Sequence, residues 1–301
     1  MIHFNSNKIL IPVDFSDTSF LAIKHGAFLA KYTKGDVYLL HVINKQYEHY
    51  AVLEQPLHID DPAKYETSAS NKLNELADSI RSEYGISVNT IVSLGNPTKE
   101  IINNANEIKA DLIVMGTHGY SPLEELVIGS NTLKVITKSK CPVMTMSEKA
   151  SRFGYKNILM PIDTSGHSRQ KVNYSIELSK TFSAHLHVVG LLGRSDANEQ
   201  PGMDIVLSQV KKLATEKSVT CTTEVLNDVK NRADSTIKYA EKVKADLIII
   251  MTDQEAEISG FFLGPYSQQV IHHSKVPVVA ITPELSADGT DVSVLSGTSG
   301  L

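Results

Sequence analysis

The sequence predicts an α/β protein made of two tandem domains, each with an open, doubly wound sheet of five parallel strands. Short apolar runs alternate along the chain with stretches of helical periodicity. Near-continuous apolar strands joined by helices are typical of a parallel sheet whose two faces are both covered. The same alternation then occurs a second time, and 301 residues are enough for about two domains of ordinary size.

The repeat is visible in matched segments of the two halves. Lys8-Ile-Leu-Ile-Pro-Val-Asp14 matches Lys156-Asn-Ile-Leu-Met-Pro-Ile-Asp163, and Asp14 corresponds to Asp163 at an offset of 149 residues. Ser139-Lys-Cys-Pro-Val143 recurs as Ser274-Lys-Val-Pro-Val278 at an offset of 135. The first copy therefore carries 14 additional residues, which we place in the polar loop between Lys45 and Pro62.

Each element of the first copy follows from its own pattern. The predicted strands cover residues 8–13, 36–43, 87–93, 112–115 and 143–146, and a long amphipathic helix is predicted over 64–84. We expect domains at residues 1–147 and 156–283, joined by a short linker at 148–155. Residues 284–301 are rich in Ser, Gly, Asp and Thr without a helical period, so we expect a disordered tail there.

Composition and charge exclude several classes of protein. A net charge of −5 without a cluster of Lys and Arg argues against nucleic acid as a partner. No apolar run is long enough to span a membrane, and no secretory signal is visible, so the sequence favours a cytoplasmic protein. Cys141 and Cys221 lie in different halves and are expected to be free thiols in a reducing compartment.

One stretch carries the chemistry. Gly116-Thr-His-Gly119 directly follows the apolar run at 111–115, and Gly129-Ser-Asn-Thr132 opens a segment with helical spacing. Glycine lets backbone approach a ligand closely, and the free N–H groups at a helix start attract anions. Since ligands of open parallel sheets lie beyond the carboxyl ends of the strands, Asp14 and His41-Val42 should border the same site. The sequence predicts a site for the phosphates of a nucleotide.

These motifs together resemble the universal stress protein family. The resemblance rests on the spacing of Gly116, Gly119 and Gly129-Ser130, on Pro12-Val-Asp14 in the first strand, and on Lys140-Cys-Pro-Val143 before the last. It covers about residues 8–146 and 157–282, so the chain is similar to the tandem members of that family. The resemblance implies a Rossmann-like, nucleotide-binding sheet and, where the glycine pattern is complete, a bound ATP, which we expect to carry Mg2+.

The resemblance also implies which residues meet the ATP. Asp14 and the backbone of Val42 would face the adenine, and Pro12 and Gly116 would lie beside the ribose. The residues around the phosphates would be His118, Gly119, Gly129, Ser130, Asn131 and Thr132. Two alternatives stay open: Asp14 is also a favoured helix-capping residue, and His118 between two glycines has the chemistry of a general acid or base.

The second copy departs from the glycine pattern. At the offset of 135, Met251 replaces Gly116, Gln254 replaces Gly119 and Pro265 replaces Ser130. The two side chains would occupy the space that phosphates need, and proline lacks an N–H donor. We therefore predict that the second copy does not bind ATP in this manner, although a different ligand there stays open.

The sequence thus indicates an ATP-binding stress or regulatory protein whose first domain holds the nucleotide. No catalytic residue or protein metal site is assigned, and the alternatives are a slow ATPase or nucleotidyl-transfer enzyme, or an adaptor that binds no nucleotide. The resemblance further implies that the two copies pair within one chain through their last strands, Val143–Met146 and Val278–Ile281. A homodimer and a regulatory protein partner are left open.

Overall fold

The computed structural model describes residues 2–44, 62–118, 128–150, 153–163, 165, 167–252, 254–257 and 260–283. The chain divides into two compact units. The first unit is Asn5–Ser151, and the second is Arg152–Leu301 together with Met1–Phe4. The expected loop at 45–61 and the expected tail at 284–301 both lie outside the described residues.

The first unit is an open sheet of five parallel strands with helical crossovers. The strand order is β3-β2-β1-β4-β5. The strands are β1 (Lys8–Pro12), β2 (Asp36–Ile43), β3 (Val88–Leu94), β4 (Leu112–Gly116) and β5 (Val143–Met146). The helices are α1 (Asp17–Thr33), α2 (Pro62–Tyr84), α3 (Pro97–Ile108) and α4 (Ser130–Lys138). The fold class and the strand positions read from the sequence are confirmed.

The central strands β1 and β4 are apolar because helices cover both faces of the sheet. Ile9, Leu10 and Ile11 are fully buried, as are Leu112 and Ile113 on the neighbouring strand. Both side-chain directions of a strand therefore point into protein, which removes the polar alternation that a half-exposed strand would show. The order of the strands reverses at β1, which pairs with β2 on one side and with β4 on the other. This reversal opens a crevice at the carboxyl ends of β1 and β4.

The second unit repeats this plan. Its parallel strands have the order β12-β9-β6-β7-β8. They are β6 (Asn157–Ile162), β7 (His185–Leu191), β8 (Cys221–Leu226), β9 (Leu247–Met251) and β12 (Val278–Ile281). The helices are α5 (Val172–Thr181), α6 (Gln200–Glu216), α7 (Arg232–Lys242) and α8 (Pro265–His273). The predicted pairing of the two copies through their last strands stays a prediction.

One element of the second unit has no counterpart among the described residues of the first. Strands β10 (Gln254–Glu257) and β11 (Gly260–Leu263) form an antiparallel hairpin between β9 and α8. Gln254 pairs with Leu263, and Glu257 pairs with Gly260. The hairpin occupies the stretch that aligns with the glycine loop of the first copy, and the sequence did not predict it.

The amino-terminal residues pack on the second unit rather than on the domain that follows them in sequence. The Glu177 carboxylate accepts hydrogen bonds from the backbone N–H of Phe4 at 2.8 Å and from the His3 ring at 2.8 Å. The Phe4 ring meets Tyr174 edge-on, with centroids 5.3 Å apart. Within the described part of the chain, no helix combines the length and the apolar character needed to cross a membrane.

Candidate functional site

A cavity of about 190 Å3 lies at the carboxyl ends of β1 and β4 in the first unit. The structure brings nine of the ten predicted site residues together in its lining. They are Pro12, Asp14, Val42, Gly116, His118, Gly129, Ser130, Asn131 and Thr132. The tenth, Gly119, lies outside the described residues. Typical pockets for a whole ligand measure roughly 300 to 1,000 Å3, so a nucleotide would extend in part beyond this cavity.

Six further residues line the cavity that sequence reasoning missed. They are Val13, Ser19, Leu40, Pro97, Ile101 and Met115. Pro97 and Ile101 belong to α3, which begins directly after β3. The signal for them was present, because Asn96-Pro97 is a strong helix start and the helix after a strand end should border the crevice. These six side chains give the cavity a largely apolar wall.

Asp14 follows β1 and is exposed at the cavity. Its Oδ1 atom accepts hydrogen bonds from the Ser16 N–H at 3.0 Å and from the Ser16 hydroxyl at 2.5 Å. The cap of α1 is Ser16, whose side chain accepts from the Ser19 N–H at 3.3 Å. Of the two readings of Asp14 left open by the sequence, the structure thus gives the capping role to Ser16, and the Asp14 carboxylate is oriented by a turn at the edge of the cavity.

Gly116 ends β4 against the first turn of α1 rather than against open space. A Cβ atom built at Gly116 would lie 2.6 Å from Oγ1 and 2.8 Å from Cβ of Thr18. Thr18 is buried, and its hydroxyl donates a 2.6 Å hydrogen bond to the backbone carbonyl of His118. The missing side chain at Gly116 therefore makes room for the residue that holds the loop, a reason that the sequence pattern did not reveal.

The loop after β4 is fixed at both of its described ends. The Thr117 N–H donates to the Met146 carbonyl at 2.8 Å, and the Gly129 N–H donates to the Thr117 carbonyl at 2.8 Å. The buried Thr132 hydroxyl donates to the Gly116 carbonyl at 3.0 Å. The Thr132 side chain thus ties the helix start to the strand end, while its neighbours Ser130 and Asn131 are exposed.

The start of α4 presents backbone donors to the cavity. Gly129 is the N-cap and supplies no side-chain cap. The Leu133 N–H donates to the Gly129 carbonyl at 3.1 Å, so the N–H groups of Ser130, Asn131 and Thr132 precede the first hydrogen bond of the helix. The N-terminal end of a helix carries roughly half a positive charge, which favours an anion there. This arrangement can bind phosphate without a cationic side chain.

Two side chains at the cavity are oriented by hydroxyl groups. The His118 ring meets the Thr117 hydroxyl through Nδ1 at 2.9 Å. The Thr98 hydroxyl on α3 donates to Oδ1 of Asn131 at 2.9 Å. The second bond joins α3 to α4 across the cavity rim, so residues from two helices are held in one arrangement.

His41, at the end of β2, lies behind the cavity rather than in its lining. Its Nδ1 atom donates to the Val13 carbonyl at 2.7 Å, and its ring lies 5.0 Å from that of Phe15. Burial lowers the pKa of His41, although the Val13 carbonyl and the nearby charge of Asp14 act in the opposite direction. The His41 ring therefore favours the neutral form, and its hydrogen bond to Val13 links β2 to the end of β1.

The equivalent region of the second unit keeps the scaffold and changes the lining. The Thr252 N–H donates to the Ile281 carbonyl at 2.8 Å, and the Ser267 hydroxyl donates to the Met251 carbonyl at 3.2 Å. The second bond matches that of Thr132 in the first unit, so the Thr132 hydroxyl belongs to the shared scaffold. Pro265 begins α8 and offers no N–H. The side chain of Gln254 lies outside the described residues.

The cysteines show no sign of activation. Burial raises the pKa of the Cys141 thiol, and burial raises that of Cys221 to about 11. Among the described residues, no group of three or more His, Cys, Asp or Glu side chains has the arrangement of a metal site. The chemistry that the described residues support is therefore binding of an anionic ligand with an apolar part.

Comparisons with known proteins agree with the repeat. The model of the universal stress protein family matches the chain twice, at residues 5–146 and 154–282. A universal stress protein of Methanocaldococcus jannaschii is 35% identical over 156 residues, which cover 48% of this chain and 96% of the relative. One of Bacillus subtilis is 34% identical over 143 residues, or 46% of this chain and 97% of the relative.

Other universal stress proteins match along nearly the whole chain. A universal stress protein of Mycobacterium bovis is 21% identical over 285 residues, covering 90% of this chain and 95% of the relative. The crystal structure of a universal stress protein from Archaeoglobus fulgidus superposes with a TM-score of 0.72 at 22% identity. It covers 94% of this chain and 98% of that one, and at this identity the likeness shows the fold.

Proposed function

We propose that this chain, which belongs to the universal stress protein family, binds ATP with its first unit and acts as a nucleotide-dependent regulator in the stress response of the cytoplasm. The observation that carries the proposal is the cavity at the ends of β1 and β4. Nine residues expected from the family pattern line it, and three of them form the start of α4.

The lining supports a division of roles along the nucleotide. The apolar wall formed by Leu40, Ile101 and Met115 suits a base and a ribose. The oriented Asp14 carboxylate and the backbone of Val42 can accept and donate hydrogen bonds at the base. Pro12 and Gly116 would lie beside the ribose. A donor group of the ligand would bond to the Asp14 carboxylate instead of to water. The cavity should therefore prefer ligands that carry an N–H or O–H group at this end.

The phosphates would lie at the start of α4. Next to Gly129, the residues Ser130, Asn131 and Thr132 offer backbone N–H groups, and the exposed Ser130 adds a hydroxyl. His118 and, by the family pattern, Gly119 complete this side. We include Mg2+ as the partner of the triphosphate because this ion is commonly bound through substrate phosphates rather than by an all-protein cage.

A regulatory role fits the residues better than turnover. Among the described residues that line the cavity, Asp14 is the one carboxylate, and its Oδ1 atom is occupied by Ser16. His118 is the remaining group with acid–base chemistry, and its Nδ1 atom is held by Thr117. Occupancy by ATP would add a charged ligand at the ends of β1 and β4 and the start of α4, and a protein partner would sense that change.

Calorimetric titration with ATP and Mg2+ tests the proposal, with two matched glycine variants. Gly129→Leu places a side chain at the N-cap of α4, and Gly264→Leu does the same at the N-cap of α8, where the backbone angles are similar. We expect ATP binding to be lost in the first variant and kept in the second. At a hundredfold excess over its dissociation constant, ATP should stabilise the wild-type chain by about 2.7 kcal/mol.

Two results would replace the proposal. If the wild-type chain gives neither heat nor a shift in melting temperature with ATP, the protein is an adaptor without a nucleotide. If phosphate is released above the buffer background, and His118→Ala stops the release while binding continues, the protein is a slow ATPase.

A further inference from the structure

The two units differ in the length of their first strand pairing. The pairing of β1 with β2 ends at Pro12 and Leu40, which both line the cavity of the first unit. The equivalent pairing of β6 with β7 continues by one more pair, Ile162 and Gly190. The ladder of the first unit therefore stops one pair early, at the edge of its cavity.

The His41 ring replaces the missing pair of the ladder. His41 corresponds to Gly190, and its Nδ1 atom donates a 2.7 Å hydrogen bond to the Val13 carbonyl. If the ladder continued as in the second unit, this carbonyl would accept instead from the N–H of Val42, the residue after the pair. Gly190 has no side chain that could compete for the carbonyl, so the ladder of the second unit closes there.

The Val42 N–H is consequently left for a ligand. Successive backbone N–H groups of a strand point to opposite neighbours, and the Asp36 N–H of β2 donates at 2.7 Å to the Asn7 carbonyl, which directly precedes β1. Val42 follows Asp36 by an even number of residues, so its N–H also points to the β1 side. The described backbone contains no hydrogen bond between this N–H and the Val13 carbonyl, and Val42 lines the cavity.

Packing holds the His41 ring against the Val13 carbonyl. His41 is 6% exposed, and its ring centroid lies 5.0 Å from that of Phe15. Phe15 has a φ of 63°, in the left-handed region that is unusual for a bulky residue, and its contact with His41 supports this turn. The second unit cannot copy the arrangement, because a Cβ atom built at Gly190 would lie 2.7 Å from Sδ of Met203.

Asp14 and Val42 then offer opposite hydrogen-bonding groups to the base. A carboxylate accepts hydrogen bonds, and a backbone N–H donates one. Adenine carries an amino donor with an acceptor ring nitrogen on each side of it, whereas guanine has a carbonyl oxygen in place of the amino group. One acceptor beside one donor therefore matches adenine and opposes guanine.

We propose that His41 is a positioning residue that sets the base specificity of the first cavity. By holding the Val13 carbonyl, it keeps the Val42 N–H out of the sheet and available to a ring nitrogen of adenine. His41 acts through these two residues, since it is not among the described residues that line the cavity. The inference rests on the ATP binding proposed above and adds the residue that makes the donor available.

Calorimetric titration of the full chain with ATP, 1-deaza-ATP and 7-deaza-ATP tests the proposal. Each analogue replaces one of the two ring nitrogens beside the amino group by C–H. We expect the wild-type chain to bind one analogue about fivefold more weakly than ATP, as for the loss of one hydrogen bond. His41→Phe keeps a ring beside Phe15 but releases the Val13 carbonyl, so it should bind ATP as weakly as that analogue. His41→Asn keeps a donor and should retain the difference.

His25→Phe is the matched control, because His25 is also buried and bonded to a backbone carbonyl, that of Ala150 at 3.1 Å, but does not line the cavity. It should keep the preference for ATP even where it lowers stability, and circular dichroism checks the folding of every variant. His41→Leu repeats the test if His41→Phe does not fold.

The outcomes separate this inference from the proposed function. If the wild-type chain does not bind ATP, both fail. If ATP binds but the wild-type chain does not distinguish either analogue, or if His41→Phe and His41→Leu still distinguish it, ATP binding stands and the role given to His41 is wrong. Equal loss of the preference in His25→Phe would also overturn that role.

Discussion

The hydroxyl of Thr18 donates a 2.6 Å hydrogen bond to the backbone carbonyl of His118, so the first turn of α1 holds the loop that follows β4. The two residues are 100 positions apart in the sequence and meet because β1 and β4 are adjacent strands. Gly116 lies between them and has no side chain to keep them apart. The loop that would hold phosphates is therefore positioned by the strand order.

Thr18→Val should weaken ATP binding while the unit stays folded. The substitution keeps the shape of the side chain and removes the donor to His118, a loss of about 1 kcal/mol that corresponds to roughly fivefold in affinity. Calorimetry with ATP measures it. Thr33→Val is the control, because the Thr33 hydroxyl donates to the Leu29 carbonyl within the same helix. Thr33 is also outside the set of described residues that line the cavity. Equal affinities for the two variants would contradict the role of Thr18.

Gly116→Ala should lower the stability of the first unit. Its Cβ atom would lie 2.6 Å from the Thr18 hydroxyl and 3.1 Å from the His118 carbonyl oxygen, so α1 or the loop must shift. Overpacking of this kind costs about 1 to 3 kcal/mol. Gly202→Ala in α6 is the matched control, since no atom lies within 4 Å of the added carbon. Thermal melting of both variants measures the effect. An unchanged melting temperature for Gly116→Ala would show that the space between Gly116 and Thr18 can accept a methyl group.

Ser130→Pro should reduce ATP affinity without loss of stability. Proline is well accepted at the first position of a helix, and Pro265 has that position in α8. The substitution removes one N–H and one hydroxyl donor from the start of α4, so affinity should fall by about tenfold. The reverse change, Pro265→Ser, should not create ATP binding because Met251 remains. Undiminished affinity in Ser130→Pro would place the phosphates elsewhere.

His25 should make the first unit sensitive to acid. The residue is fully buried, and burial lowers its pKa to about 4, partly opposed by its hydrogen bond to the Ala150 carbonyl at 3.1 Å. The unfolded chain binds the proton more readily, so this contribution to stability is complete above about pH 6.5 and is lost as the pH falls toward 4. The loss at pH 5 should be about 2 kcal/mol.

Urea unfolding at pH 7 and pH 5, followed by circular dichroism, measures the acid sensitivity. His25→Gln keeps a donor for Ala150 and cannot titrate, so its difference in unfolding free energy between the two pH values should be smaller than that of the wild type. His273→Gln changes an exposed histidine and should behave like the wild type. The assignment to His25 fails if the two variants respond alike.

The sequence was most informative where periodicity and repetition agree. The strands of the first unit were predicted to within one residue at each end, and the central strands β1 and β4 were the plainest because they are buried on both faces and read as unbroken apolar runs. The family pattern then named nine residues that line a single cavity. Pro97 and Ile101 lie on the helix that follows β3, which neither the glycine spacing nor the strand ends mark.

The hairpin of β10 and β11 shows where such reasoning fails. Its strands have four residues each, too few for an alternating pattern to stand out. Residues 258 and 259 between them are Ile and Ser, which lack the glycine or asparagine signal of a tight hairpin turn. Aligning this stretch with the glycine loop of the first copy did not predict the hairpin. Residues that match in a sequence alignment need not share a backbone conformation.

The sequence by itself determined the two repeated sheets, the family and the identity of most residues around the first cavity, since hydrophobic period and glycine spacing are local properties. Only the tertiary structure decided what those residues do. It assigned the helix cap to Ser16 instead of Asp14, and it committed the Thr132 hydroxyl to the carbonyl of Gly116. It also gave the Val13 carbonyl to the ring of His41, although 28 positions separate the two residues in the chain. Hydrogen bonds and charge balance depend on which strands are neighbours, and the strand order is a property of the folded chain.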